Sequence, residues 1–184
     1  DWLRGVAGIQ LWGRNLDPSF LAGAPNPDSR FFNNFETNNL GIFVNDTASF
    51  GPFEINAALR WETQTIKDLS LQDFGFTREV DDQSISASLG GSWEGDMIGH
   101  FDRVKVNLNG SFVERIPSEV ERFAFWSNPA IQRFLIGGDL DGDPLRTEQA
   151  LGIDLGFEAD LDDIEMRLNF FHYRIDDFIF LQDL

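Results

Sequence analysis

Three groups of side chains in this sequence are of types that do chemistry, and each has a competing structural reading. Asp139, Asp141 and Asp143 place carboxylates at alternate residues around Gly142, the spacing that opens a Ca²⁺-binding loop. An EF-hand in that register needs a Glu at its twelfth position, where this sequence has Ala150. A looser divalent-cation site in an acidic loop remains, beside the plain alternative of a solvated Asp/Gly turn. Asp160, Asp162 and Asp163, and separately Asp176 and Asp177, are carboxylates of the kind used in paired acid–base work. Their places, in a tight turn and at a strand end, suit solvated charge instead. His100 and His172 are the two histidines, and there is no cysteine. That excludes a disulfide framework, a thiol nucleophile and Cys-ligated zinc, and it leaves a His-based metal or relay site without partners. No nucleophile–base pair, phosphate loop or cofactor motif is visible. Catalysis is therefore not expected, and no cofactor beyond a divalent cation such as Ca²⁺ at the three aspartates.

Aromatic residues form the third group. Phe123, Phe125 and Trp126 cluster within a long polar stretch, and Phe31-Phe32 lies in another. Apolar rings on polar loops either contact a ligand or fold back onto the protein, and the sequence leaves both open.

Composition bounds the classes. The 184 residues carry 31 acidic against 14 basic side chains, a formal charge of -17. Such a chain lacks the cations that neutralise phosphates, so no nucleic-acid partner is expected. Acidic surfaces favour cationic solutes, or divalent ions bridging to surface lipid. A hydrophobic content of 42% is too high for a disordered acidic tail. No run approaches the ~18 apolar residues of a membrane helix. The sequence opens at Asp1 without a signal peptide, so a processed or internal start is expected.

The elements that must position these residues alternate with period two. Val104, Val106, Leu108, Gly110 and Phe112 interleave with Lys105, Asn107, Asn109 and Ser111. Ile85 to Trp93, Phe53 to Trp61, Leu151 to Phe157 and Ile164 to Phe170 repeat the pattern, and weaker versions cover Leu3 to Trp12 and Asn39 to Ala48. Seven strands and no helix are predicted, an all-β chain. Connections alternate between long (Gly13 to Thr37, Lys67 to Val80, Arg115 to Thr147) and short (Phe50-Gly51-Pro52, and Asp160 to Asp163), with Glu94 to Asp102 an intermediate case on the short side. An up-and-down meander with long loops at one rim and turns at the other has this rhythm, as outer-membrane barrels do. Phe53 and Trp61 share a face eight residues apart. At ~3.3 Å per residue and a tilt near 40° they stand roughly 20 Å apart in height, close to the ~25 Å apolar band of such barrels. Bacterial barrels close with an even number of strands, so seven are expected to be part of a larger one. A soluble β-sandwich would instead put Leu89 and Leu108 in a dry core.

The run Glu114-Arg115-Ile116-Pro117-Ser118-Glu119-Val120-Glu121-Arg122-Phe123 resembles a segment of TonB-dependent outer-membrane receptors. So, in order, do Phe134-Leu135-Ile136-Gly137, Leu145-Arg146-Thr147-Glu148, Leu151 to Phe157 and Phe170 to Ile179, and upstream Phe50-Gly51-Pro52-Phe53 through Leu59-Arg60-Trp61-Glu62. The resemblance implies that residues 1–184 are an internal part of a barrel of about 22 strands, its plug domain and remaining strands lying outside this sequence. It also implies active import of a scarce small-molecule ligand (siderophore, metal complex or cobalamin), driven through the plug by the TonB–ExbB–ExbD complex. Outer-membrane lipid, including lipopolysaccharide, would be the surrounding partner. The family's zinc receptors carry His in the long loop where this chain reads Trp126-Ser127-Asn128-Pro129-Ala130, so no zinc site is carried over. A passive porin-type barrel and a soluble all-β binding domain are the alternatives.

Overall fold

The computed structural model describes residues 2–16, 34–69, 78–123, 125–128, 133–136 and 144–179. Strands β1 (Leu3–Leu16), β2 (Phe35–Phe50), β3 (Phe53–Asp68), β4 (Arg78–Ile98), β5 (Phe101–Arg115), β8 (Glu148–Leu161) and β9 (Ile164–Asp176) form one antiparallel sheet. Each pairs with its neighbours in the order β1-β2-β3-β4-β5-β8-β9, an up-and-down meander. Between β5 and β8 come one turn of helix, α1 (Glu119–Phe123), and a separate hairpin of β6 (Phe125–Asn128) and β7 (Arg133–Ile136). The sequence reading missed these three elements inside a segment it took as loop. The strands are also longer than the alternation alone suggested, because most continue past the apolar stretch into polar residues.

The alternation of connections is stricter than the sequence indicated. The intermediate connection at Glu94 to Asp102 is in fact a two-residue turn, Gly99-His100, because β4 runs on to Ile98 and pairs with Phe101. Gly51-Pro52 and Asp162-Asp163 are the other two turns, all three on one rim. Tight hairpin turns need positive φ, and Gly51 (φ 58°), Gly99 (φ 64°) and Asp162 (φ 49°) supply it.

Register sorts the side chains into two faces. Ile9, Ile42, Trp61 and Ile85 share one face with Leu89, Leu108, Leu155 and Phe170. Gln10, Arg60, Ser86, Asn107, Asn109 and Asp154 share the other. The apolar face is open: Leu89 is 64% exposed and Leu108 51%. A sandwich would have covered both, so a soluble two-layer fold is not what this sequence forms. No helix among the described residues is long and apolar enough to cross a membrane.

The upper limit of the apolar face runs obliquely to the strands. It passes from Leu11 and its partner Leu40 to Trp61 and Ile85, then to Phe112 and Leu151, and ends at Phe170. In register the limit slips two residues between Thr63 and Trp61, two between Ile85 and Ala87, and four between Leu151 and Leu155. That is eight residues over six strand-to-strand steps. At ~3.3 Å per residue and ~4.8 Å between strands, the slip is about 26 Å against about 29 Å, a tilt of about 42°. Transmembrane barrels tilt their strands by roughly 35–45°. The lower limit, from Leu3 to Ile164, slips the same way by six residues.

Two glycines on this sheet respond differently to a side chain. Gly51→Val forces a β-branched residue into positive φ and is expected to cost about 1–2 kcal/mol. Gly110→Ala meets no atom within 4 Å and is expected to lie within roughly 0.5 kcal/mol of the parent. Urea unfolding of the two variants checks the contrast, and equal effects would contradict it.

Candidate functional site

Chemistry-bearing residues concentrate on the polar face. Along its middle run Glu54, Asn56, Ser92, Lys105, Asn107, Asn109 and Glu158, lining an open polar recess of about 280 Å³. Amide side chains lie flat across glycines of adjacent strands. A Cβ on Gly90 would fall 2.0 Å from the Asn109 Oδ1, and one on Gly156 2.2 Å from that of Asn107. Gly90 and Gly156 thus make room for hydrogen-bonding groups. Tyr173 crosses Gly152 in the same way and donates its hydroxyl to the Asp154 carboxylate at 2.9 Å. Toward the turn rim, Arg103 donates to Asp160 at 2.8 Å and lies near Glu94 and Glu158. Fixed amides, hydroxyls and a net-acidic set of charges of this kind can hydrogen-bond a polar solute or the surface of another domain. They contain no nucleophile poised against a base.

At the loop rim the chain after β5 folds back onto this face. Ser118 starts α1 with a capping box: its Oγ accepts the Glu121 N–H at 3.3 Å, and Glu121 Oε2 accepts the Ser118 N–H at 2.8 Å. One turn later Phe123 is fully buried against Phe35 and Ile66, its ring stacked on Phe35 with centroids 6.0 Å apart. Leu16 and Val80 pack around the cluster, and Arg78 lies over the Phe123 ring at 5.6 Å.

Ion pairs hold the same segment. Arg122, 1% exposed, donates to Asp82 at 2.7 Å and to the Leu145 carbonyl at 3.2 Å. Glu119 pairs with Arg14. Arg115 bridges Glu121 and Glu148, at 2.9 and 3.1 Å. Burial pushes Glu121 up, but hydrogen bonds from Arg115 and from the amide and hydroxyl of Ser118 outweigh it and hold the carboxyl below its ordinary range. The Arg115 hydrogen bond does the same for Glu148.

The sequence candidates fall as follows. Phe123 sits in this buried cluster. Phe125 and Trp126 lie on β6, in the hairpin beyond α1. Phe31, Phe32, Asp139, Asp141 and Asp143 lie outside the described residues. Among the described residues no group of three or more His, Cys, Asp or Glu side chains could hold a metal ion. Asp162 and Asp163 form a turn, and His172 stands on the apolar face of β9, two residues beyond Phe170. The clamping residues Arg14, Asp82, Arg115 and Arg122 were not singled out from sequence. Ser118-Glu119-Val120-Glu121 carried the one local signal, a capping box, that would have marked α1.

A tilted meander with one apolar face, one polar face and the segment after β5 folded onto the polar side is the wall of a transmembrane β-barrel. The sequence matches the family described as TonB dependent receptor-like, beta-barrel, over residues 4–184, and the chain belongs to that family. Among solved structures it is similar to the copper transporter OprC, with a TM-score of 0.71 and 15% identity. The superposition covers 97% of this chain and 28% of that one, and at this identity the likeness is one of fold. No curated protein matches it significantly in sequence.

Two outcomes test the clamp. Asp82→Ala removes the carboxylate to which the buried Arg122 guanidinium donates and is expected to cost about 2–3 kcal/mol locally. Hydrogen exchange of the α1 amides should then rise by roughly thirty- to a hundredfold, and a rise under threefold would contradict the pairing. With Glu121 and Glu148 held below their ordinary value of 4.5, their contribution is complete above that value and lost as pH falls through the depressed one. A spin label at Val120 is expected to stay immobile from neutral pH into the carboxylate range and to loosen only below about pH 4. Loosening already near pH 6 would contradict this.

Proposed function

We propose that this chain forms part of the wall of an outer-membrane importer that takes up a scarce small-molecule ligand, driven by TonB. The observation that carries the reading is the pairing of a mostly apolar face, interrupted within its band by Asp46, with a polar, hydrogen-bonding face in a chain of this family. In lipid every backbone polar group needs a partner, so the meander must close with further strands. The chain spans 28% of the length of OprC. The plug, the TonB–ExbB–ExbD contact and the remaining wall are accordingly assigned to parts of the protein outside residues 1–184.

The polar face would meet the plug and the passing ligand. Copper is the cargo named for OprC, but soft ligands are scarce here: the sequence has two His, two Met and no Cys. Asn, Ser, Gly and charged side chains make up most of the described polar face instead. That chemistry suits a complexed cargo, such as a metal chelate or another polar scaffold, recognised through hydrogen bonds rather than by direct ligation. The aromatic residues Phe31, Phe32, Phe125 and Trp126 remain ligand-contact candidates, and Asp139, Asp141 and Asp143 remain a candidate site for a divalent cation.

Membrane placement is tested by Leu108→Arg, which is expected to lower barrel stability by about 2–4 kcal/mol near the midplane while Asn107→Arg is tolerated. Equal tolerance, or protein that stays monomeric without detergent, would overturn it. Import is tested by measuring the content of Fe, Cu, Zn, Co and Ni in cells with and without the full-length protein, under nutrient limitation. A gain in one element that disappears when TonB is deleted supports the proposal. A gain that survives the deletion would point to a passive pore.

A further inference from the structure

The apolar face is not smooth. Gly91 and Gly110 lie on neighbouring strands, each step from Phe53 through Gly91 and Gly110 to Leu151 moving one strand across and two residues up. At ~3.3 Å per residue and ~4.8 Å between strands, this diagonal makes about 36° with the strands. The strand tilt is about 42°, so the line runs nearly along the barrel axis. Leu89 and Phe112 rise on one side of it, and Leu108 and Ile153 on the other. Gly110 leaves open space between Leu89 and Ile153. Two apolar recesses lie end to end along it, one of about 530 Å³ at Gly91 and one of about 620 Å³ at Gly110. The result is a furrow with aliphatic and aromatic walls, parallel to the direction in which lipid chains stand.

Charge distinguishes its upper end. Above the apolar limit the first residues on this face are Gly13, Asn38, Thr63, Gln83, Glu114 and Gln149 on the other strands, and His172 followed by Arg174 on β9. His172 and Arg174 both line the upper recess. Arg174 gives Nε and one Nη2 hydrogen to Asp176 at 3.1 and 3.0 Å, which leaves three of its five N–H groups to donate. A guanidinium and an imidazole beside an apolar slot, at the level where hydrocarbon meets headgroups, complement an anionic headgroup with its chain lowered into the slot.

We propose that this furrow seats one acyl chain of a phosphate-bearing outer-leaflet lipid, with Arg174 and His172 holding its phosphate. The inference rests on the membrane placement proposed above. The occupant is a lipid rather than a second protein because the slot runs along the chain direction and has its hydrogen-bond donors for an anion, Arg174 and His172, at one end only. A chain seated in this furrow would be held through detergent extraction.

The test uses the full-length protein in detergent, with bound lipid counted by native mass spectrometry during titration with lipid A and with dephosphorylated lipid A. Three variants are compared with the parent: Gly110→Leu, which fills the slot, Arg174→Gln, and Ala57→Leu on the same face away from the furrow. Heat-modifiable electrophoretic migration establishes that each barrel is folded, separating a failure of this proposal from a failure of the membrane reading. The parent and Ala57→Leu are expected to retain one lipid A and to prefer it over the dephosphorylated form. Gly110→Leu is expected to weaken retention at least about fivefold, equivalent to roughly one methylene of lost burial. Arg174→Gln is expected to erase the preference for phosphate. Undiminished retention by folded Gly110→Leu, or no preference for phosphate in the parent, would overturn the proposal.

Discussion

The rest of this structure depends on one constraint: an extended backbone in hydrocarbon must have its N–H and C=O groups paired by neighbouring strands. The seven long strands meet it with an unbroken antiparallel ladder from Leu3 to Asp176. Once the ladder fixes the backbone, a period of two is all the side chains have to work with. One set must suit lipid and the other must suit water or a plug. The conventional core is correspondingly small: among the described residues Phe35, Ile66 and Phe123 form the buried apolar cluster. Stability in such a wall comes from hydrogen bonding and from the surrounding solvent rather than from an enclosed interior.

Tilt is written into the composition of the strands. The apolar stretch steps along the sheet from strand to strand, and the slip from Leu11 to Phe170 gives a tilt within the range of closed barrels. Beyond the upper limit the strands continue as polar ladders, Thr63 and Thr65 on β3 or Gln83 and Asp81 on β4, so the wall stands clear of the apolar layer on the loop side. There α1 is drawn onto the polar face by a buried Phe123 and by charged pairs that link it to β1, β4 and β5, and through Arg115 to β8. The clamp sets where the hairpin carrying Phe125 and Trp126 departs from the wall.

Much of this was legible in the sequence because period two is a local signal. β5 announces itself from Val104 to Phe112, and the two faces of β3 follow directly from Phe53 to Trp61. Limits were harder to read. Gly95-Asp96 looks like the start of a loop, yet β4 continues through it because the partner strand supplies the hydrogen bonds. The loop-rim cluster was not legible at all. Phe123 as a sequence feature is an aromatic ring in a polar stretch, and its partners Phe35 and Ile66 come from strands distant in the chain. Asp82 gives no local hint that Arg122 will lie buried against it. Ser118 and Glu121 did announce a helix start, but one turn of helix has no periodicity to reinforce the cap.

A spin-label scan along β5, from Arg103 to Val113 in the full-length protein reconstituted in bilayers, addresses the central point directly, and this part of the chain has no native cysteine to remove. The expected result is alternation: high oxygen and low nickel-chelate accessibility at the even positions from Val104 to Phe112, and the reverse at Lys105, Asn107 and Asn109. Accessibility that does not alternate, or nickel access at Leu108 as high as at Asn107, would contradict a lipid-facing wall.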